Sequence, residues 1–254
     1  MLPTSPVIRP DWPTPPRVIA LSTRRSPGVS RPPWDSLNLG DHVGDDPAAV
    51  EANRQWLAAL LPPPGAIQWL EQVHGIDVVR ASADGDVPAA DASWTDQPGL
   101  ACAVLTADCL PVLLSSVTGD VVAAAHAGWR GLAAGILEQT VFAMPARPCE
   151  MLAWLGPAIG PSMFEVGAEV REQFIQQAGL APRETAACFV PVVARPDHFL
   201  ADIYTLARLR LASTGVTRVF GGGYCTVTEA KQFYSYRRDG QTGRMASLIS
   251  INPG

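Results

Sequence analysis

The chain has 254 residues, of which 47% are hydrophobic and 17% charged, so it has the material for a sizeable core in one large domain or two small ones. Its net charge of -5 argues against nucleic acid as a partner, because proteins that grip a phosphate backbone usually carry a basic face. No apolar run approaches the ~18 residues of a membrane span, the Pro-rich start has no apolar signal segment, and five cysteines without a C-x-x-C pair make a disulfide framework unexpected. A cytoplasmic protein without membrane contact is the expectation.

Six prolines between Pro3 and Pro16 predict an extended arm over residues 1–16 that forms no packed element, ahead of one domain over residues 17–254. Residues 18–22 read as a first strand. Asp45-Asp46-Pro47 starts a helix, with a capping carboxylate and a proline in the first turn. Val50, Leu57 and Leu61 share a face of that helix, and Pro62-Pro63-Pro64 stops it. Short apolar runs follow at residues 66–70, 76–81, 101–105, 110–115 and 121–126, the last three read as buried strands of one central sheet. Residues 131–144 predict a helix, 151–155 a strand, and 166–178 an amphipathic helix ended by Gly179. Asp202 caps a helix with Ile203, Leu206, Ala207 and Leu211 on one stripe, and residues 217–220 and 245–251 read as strands. Strands and helices alternate without repeat or linker, which predicts an α/β fold: a single compact domain with mixed β-sheets packed between helices.

Three segments place reactive side chains beside small residues at strand ends, where α/β proteins build their sites. They are Glu71-Gln72-Val73-His74-Gly75, Thr106-Ala107-Asp108-Cys109-Leu110-Pro111 and His126-Ala127-Gly128-Trp129-Arg130-Gly131. Two imidazoles and a thiolate from His74, Cys109 and His126 suit zinc, and three protein ligands keep a position open for water or substrate. Their separations match no local zinc-finger spacing. The same residues also suit a Cys109 nucleophile with His74 or His126 as base and Asp108 orienting it. The plainer alternative is a buried core thiol beside hydrogen-bonded structural histidines. Only four histidines exist, His42, His74, His126 and His198, so a site needing many imidazoles is excluded.

Arginines recur beside glycine or small polar residues, Arg54, Arg130, Arg237 and Arg244 among them, and arginine binds phosphate or carboxylate in bidentate fashion. Any one of them is more commonly a surface residue in a turn. Phe233-Tyr234-Ser235-Tyr236 sets aromatics next to Arg237-Arg238, where a base could stack, although aromatics on a strand are more often core. Gly156-Pro157-Ala158-Ile159-Gly160 lacks the Gly-Lys-Ser/Thr of a phosphate loop, and Gly221-Gly222-Gly223 lacks the helix of a dinucleotide fingerprint. Both read as structural turns.

The three segments, together with Ser36-Leu37-Asn38-Leu39-Gly40, Trp154-Leu155-Gly156-Pro157-Ala158-Ile159-Gly160, Phe164-Glu165-Val166-Gly167 and Ser235-Tyr236-Arg237-Arg238-Asp239 through Arg244-Met245-Ala246-Ser247, resemble the motifs of the YfiH family. This family is also called the laccase-domain or polyphenol oxidase family and, in bacteria, the peptidoglycan editing factor. The motifs run in unbroken order over residues 18–251. The resemblance implies a YfiH-like single-domain α/β fold and a zinc site on His74, Cys109 and His126. It implies phosphorolysis of purine nucleosides (adenosine, inosine, guanosine, methylthioadenosine) and deamination of adenosine. One departure is the Arg25-Ser26-Pro27-Gly28-Val29-Ser30 loop, which has Ser-Pro where the family usually has a Gly pair.

On that reading Cys109, Asp108, His74 and His126 are the catalytic candidates. Arg54, Arg130, Arg237 and Arg244 are candidates for phosphate, and Asn38 and Gln72 for ribose or base. Two other activities compete. A copper polyphenol oxidase would need a type 1 centre and a trinuclear cluster, about ten histidines in all, against the four present. A single copper ion in place of zinc is compatible with the same ligands. A hydrolase editing peptidoglycan precursors would use Cys109 directly.

Overall fold

The structure, a computed structural model, describes residues 5–63, 65–177 and 181–253. Three sheets form. The first runs β1 (Val7–Ile8), β2 (Val18–Thr23), β14 (Met245–Ile251), β6 (Leu100–Thr106) and β3 (Ala66–Gln68). The second runs β13 (Arg218–Gly221), β9 (Met151–Leu155), β7 (Leu110–Ser116), β8 (Val122–Ala127), β5 (Ala92–Thr95) and β4 (Val78–Arg80). A small third sheet holds β10 (Glu165–Gly167), β12 (His198–Ala201) and β11 (Phe189–Pro191). Parallel and antiparallel pairs coexist in the two large sheets.

The two large sheets stack on each other, and each is covered on its outer face. The two-residue side-chain period makes this legible. In β6, Cys102 and Val104 join Leu113, Ala124 and Trp154 between the sheets. Ala101, Ala103 and Leu105 point the other way, onto Leu57 of helix α1 (Pro47–Ala58). In β8, Val122 and Ala124 face inward between the sheets, while Ala123, Ala125 and Ala127 lie on the side covered by helices α2 (Trp129–Ala134) and α3 (Ile136–Ala143), with α6 (Ile203–Thr214) packed on those helices. The short helix α5 (Pro182–Ala187) follows α4 (Ala168–Gln176). The single-domain α/β reading with mixed sheets between helices therefore holds.

Several local expectations change. Val7 and Ile8 are not part of a free arm: they pair with Thr23 and Ser22 and are buried, because β1 is an edge strand short enough to fit between prolines. The three buried runs do not share one sheet. β6 pairs with β14, and the chain crosses to the second sheet at Ala107, Asp108 and Cys109. Apolar content alone could not separate the two, since both sheets are covered on both faces. The helix expected over residues 131–144 starts at Trp129 and breaks at Gly135, whose φ of +108° ends α2 and opens α3. Val166 belongs to β10, so α4 begins only at Ala168, and Gly179, expected to end it, lies outside the described residues. α1 ends at Ala58, before Pro62, with Asp46 capping it as expected; Pro64 also lies outside the described residues. Strand β5 was not predicted, nor was the short helix α7 (Tyr236–Asp239). Phe233 and Tyr234 are core residues as expected, but they precede α7 and do not lie on a strand.

Candidate metal centre and active site

The β7–β8 register opposes Pro111 to His126 and Leu110 to Ala127, so Cys109, at the turn before β7, arrives beside His126. His74 approaches from the loop after β3, in a left-handed backbone conformation of φ +60°. Its Nε2 lies 3.9 Å from Cys109 Sγ, and its ring stands edge-on to His126 with centroids 4.8 Å apart. The ligand atoms of the three residues all lie within 4.8 Å of one another. Gly128 makes room for them. A Cβ there would stand 2.9 Å from His74 Cδ2, 3.1 Å from Cys109 Sγ and 3.4 Å from His126 Cε1.

The donor set fits zinc: a thiolate and two imidazoles, with His126 Nδ1 bound 2.7 Å from Asp91 Oδ1 and its other nitrogen on the Cys109 side. Asp91 escaped the sequence reading. Its one signal was a lone acid inside the small apolar run Ala89-Ala90-Asp91-Ala92, since a buried carboxylate must find partners.

Electrostatics agree with the geometry. Burial alone would push the Cys109 thiol up, but His126 and then His74 outweigh it and bring it down to about 6. Burial would likewise lower His126, yet Cys109 and Asp91 raise it to about 9. Burial works to raise Asp91, and its bonds to His126, Gly75 and His74 hold it below the usual carboxylate range.

Two cavities meet at the trio. The larger, about 930 Å³, is lined by His74, Cys109 and His126 together with Arg54, Gln72 and Arg244. The smaller, about 280 Å³, is lined by Asp108, Trp129, Arg130, Phe164 and Arg237. His74, Cys109 and Tyr236 line both.

The four predicted arginines thus reach the cavities, with different freedom. Arg54 donates to Leu39 O, pairs with Asp41 and lies over Trp69. Arg130 is exposed and lies over Trp129. Arg237 donates through Nη1 to Glu165 O. Arg244 is half-buried and donates through Nη1 to Thr242 O and Gly243 O. No acidic side chain among the described residues forms an ion pair with it.

Three other candidates are committed elsewhere. Asn38 is fully buried: Nδ2 donates to Gly40 O and Asp45 Oδ2, and Oδ1 accepts from the Gly40 and Arg244 backbones. It shapes the loop and lines neither cavity. Gln72 lines the larger cavity, but its amide exchanges two hydrogen bonds with the Leu105 backbone, at 2.8 and 2.7 Å. Asp108 orients neither histidine. Its carboxylate accepts from Thr226 Oγ1 at 2.5 Å, Ser235 Oγ at 3.0 Å and Arg237 N at 2.7 Å, tying the turn before β7 to the segment that carries α7. Both of its oxygens are thus engaged in holding that segment. The Arg25–Ser30 loop lies apart from both cavities, with Gly28 packed against the Ser36 and Leu37 backbone.

Comparison with known proteins matches residues 19–252 to the family model described as multi-copper polyphenol oxidoreductase laccase. A protein of Pseudomonas aeruginosa named purine nucleoside phosphorylase PA4543 is 55% identical over 242 residues, covering 95% of this chain and 97% of its own. Purine nucleoside phosphorylase YfiH of Escherichia coli is 54% identical over 246 residues, covering 96% and 98%. Among solved structures, protein NMB0706 of Neisseria meningitidis superposes with a TM-score of 0.91 at 49% identity, over 98% of this chain and 100% of that one.

Proposed function

The chain belongs to the laccase-domain, or YfiH, family, and on that footing we propose that it is a zinc-dependent enzyme that cleaves purine nucleosides with phosphate and also deaminates adenosine. Adenosine, inosine, guanosine and methylthioadenosine are the proposed substrates. The observation that carries the reading is the His74–Cys109–His126 trio at the meeting point of two cavities. The naming of the two relatives as purine nucleoside phosphorylases supports it. No helix among the described residues is long and apolar enough to cross a membrane. A cytoplasmic enzyme of small molecules, without a nucleic-acid partner, is part of the same proposal.

When bound, the ion supplies Lewis-acid polarisation of a substrate oxygen or of water. The chain's own residues do the rest. Arg244 is the first choice for phosphate: of the four candidates it alone is both half-buried and without an ion pair, so an anion placed there completes its pairing. Arg54, Arg130 and Arg237 follow. Phosphate held in the larger cavity displaces the base at the ribose C1′. Tyr236, exposed and lining both cavities, offers a ring face to the base.

Copper in the same place is the second reading, favoured by the description of the family model. Copper binds such ligands more tightly than zinc. Among the described residues only two imidazoles join Cys109, so no relay for reducing oxygen to water can be assembled, and phenol oxidation would be a side activity. A metal-free Cys109 hydrolase acting on a cell-wall precursor is favoured only by the lowered thiol.

One preparation separates these. Protein purified without added metal carries close to one zinc per chain. Stripped and reloaded with zinc, it releases free base from adenosine or inosine when phosphate is present, and it does not oxidise a catechol. Cys109→Ala lowers both zinc content and base release. Active protein without metal would favour the hydrolase. Oxygen uptake with copper and no base release with zinc would favour the oxidase.

A further inference from the structure

Three successive backbone N–H groups converge on a single carboxylate. Val73 N donates to Asp91 Oδ2 at 3.2 Å, His74 N to Oδ1 at 3.0 Å and Gly75 N to Oδ2 at 2.6 Å. The same Oδ1 meets His126 Nδ1 at 2.7 Å. The His126 backbone N–H donates to the Asp91 carbonyl, also at 2.7 Å. Asp91 has no exposed surface. It is therefore bonded to the side chain of one trio member and the backbone of another.

Two consequences follow from elementary chemistry. First, the N–H groups of residues 73–75 form a nest that favours an anion, and this nest holds His74 at its φ of +60°. Second, a carboxylate only accepts, so a neutral His126 keeps its hydrogen on Nδ1 and turns the Nε2 lone pair to the Cys109 side. A carboxylate buried merely for packing would need the first arrangement and would have no bearing on the second.

We propose that Asp91 is the positioning residue of this site, fixing the approach of His74 through the backbone nest and the ring nitrogen that His126 offers to a metal. The role rests on the reading of His74, Cys109 and His126 as ligands, and it is independent of which nucleoside the enzyme takes.

The discriminating variant is Asp91→Asn. Its amide oxygen, in place of Oδ2, still accepts from Val73 N and Gly75 N, while its NH₂, in place of Oδ1, no longer accepts from His74 N and donates to His126 Nδ1, which forces the hydrogen onto Nε2. The stripped variant keeps the parent's circular dichroism spectrum, and its zinc affinity, measured by competition with a chromophoric chelator, falls roughly 10- to 100-fold. Asp91→Ala loses the nest as well and falls further. Should Asp91→Asn fail to fold, nitrogen NMR of the stripped parent decides, recorded well above His126's raised value of about 9, where the neutral ring carries its hydrogen on Nδ1. Zinc affinity of a folded Asp91→Asn within about threefold of the parent, or a parent His126 protonated only on Nε2, overturns the role. A parent that takes up no zinc overturns the ligand reading and this inference together.

Discussion

Gly128 lies so close beneath His74 that a Cβ on it would stand 2.9 Å from His74 Cδ2. Its backbone, at φ -59° and ψ 154°, is one that alanine adopts freely, so the cost of a methyl group there is steric and local. Gly128→Ala should therefore fold, melt close to the parent in the stripped form, and bind zinc more weakly because His74 and Cys109 are pushed apart. Metal analysis after dialysis checks this. Full zinc occupancy in Gly128→Ala would show that the three side chains do not share an ion.

Arg244 is the sharpest test of the phosphate assignment. Losing one charge-assisted contact costs on the order of 1.5–3 kcal/mol, roughly tenfold or more in affinity. Arg244→Ala should raise the KM for phosphate by that factor and change the KM for nucleoside much less. Steady-state kinetics with each substrate varied in turn gives the answer. A raised nucleoside KM alone would move phosphate to Arg54, Arg130 or Arg237.

Asp108 binds the C-terminal segment, so its loss should be read in stability before activity. Asp108→Ala leaves Thr226 Oγ1, Ser235 Oγ and Arg237 N without their acceptor. A destabilisation on the order of 3 kcal/mol is expected, measured by urea unfolding. Unchanged stability with abolished base release would return Asp108 to the catalytic candidates.

The Cys109–His126 pair should leave the stability of metal-free protein nearly level with pH. The thiol falls from 9.0 to about 6, so its contribution is full above pH 9 and is lost as the pH drops through about 6. The imidazole rises from 6.5 to about 9, so its contribution is full below pH 6.5 and is lost as the pH climbs through about 9. The two slopes cancel between about pH 6 and 9, because folding moves one proton from thiol to imidazole and takes up none. Cys109→Ala removes the first contribution, so its melting temperature should fall relative to the parent's as the pH climbs through this range. An identical profile in Cys109→Ala would deny the pairing.

Local signals were enough for the elements whose causes are local. Asp46 followed by Pro47 sets the start of α1, Asp202 caps α6, and apolar runs mark β2, β7, β8, β9 and β14, because capping, proline geometry and side-chain period act within a few residues. The chemistry of His74, Cys109 and His126 was legible from residue type and motif. Tertiary structure decided everything that depends on a partner distant in the chain. Two equally apolar strands, β6 and β7, went to different sheets because pairing partners are chosen across the whole molecule. Asn38 was drawn into the Arg244 backbone and Gln72 into Leu105, and Asp108 was spent on Thr226, Ser235 and Arg237. Asp91, unremarkable in the sequence, became the partner of His126. A sequence states which donors and acceptors a chain owns. Burial then obliges each to be satisfied, and only the stacking of the sheets determines by which neighbour.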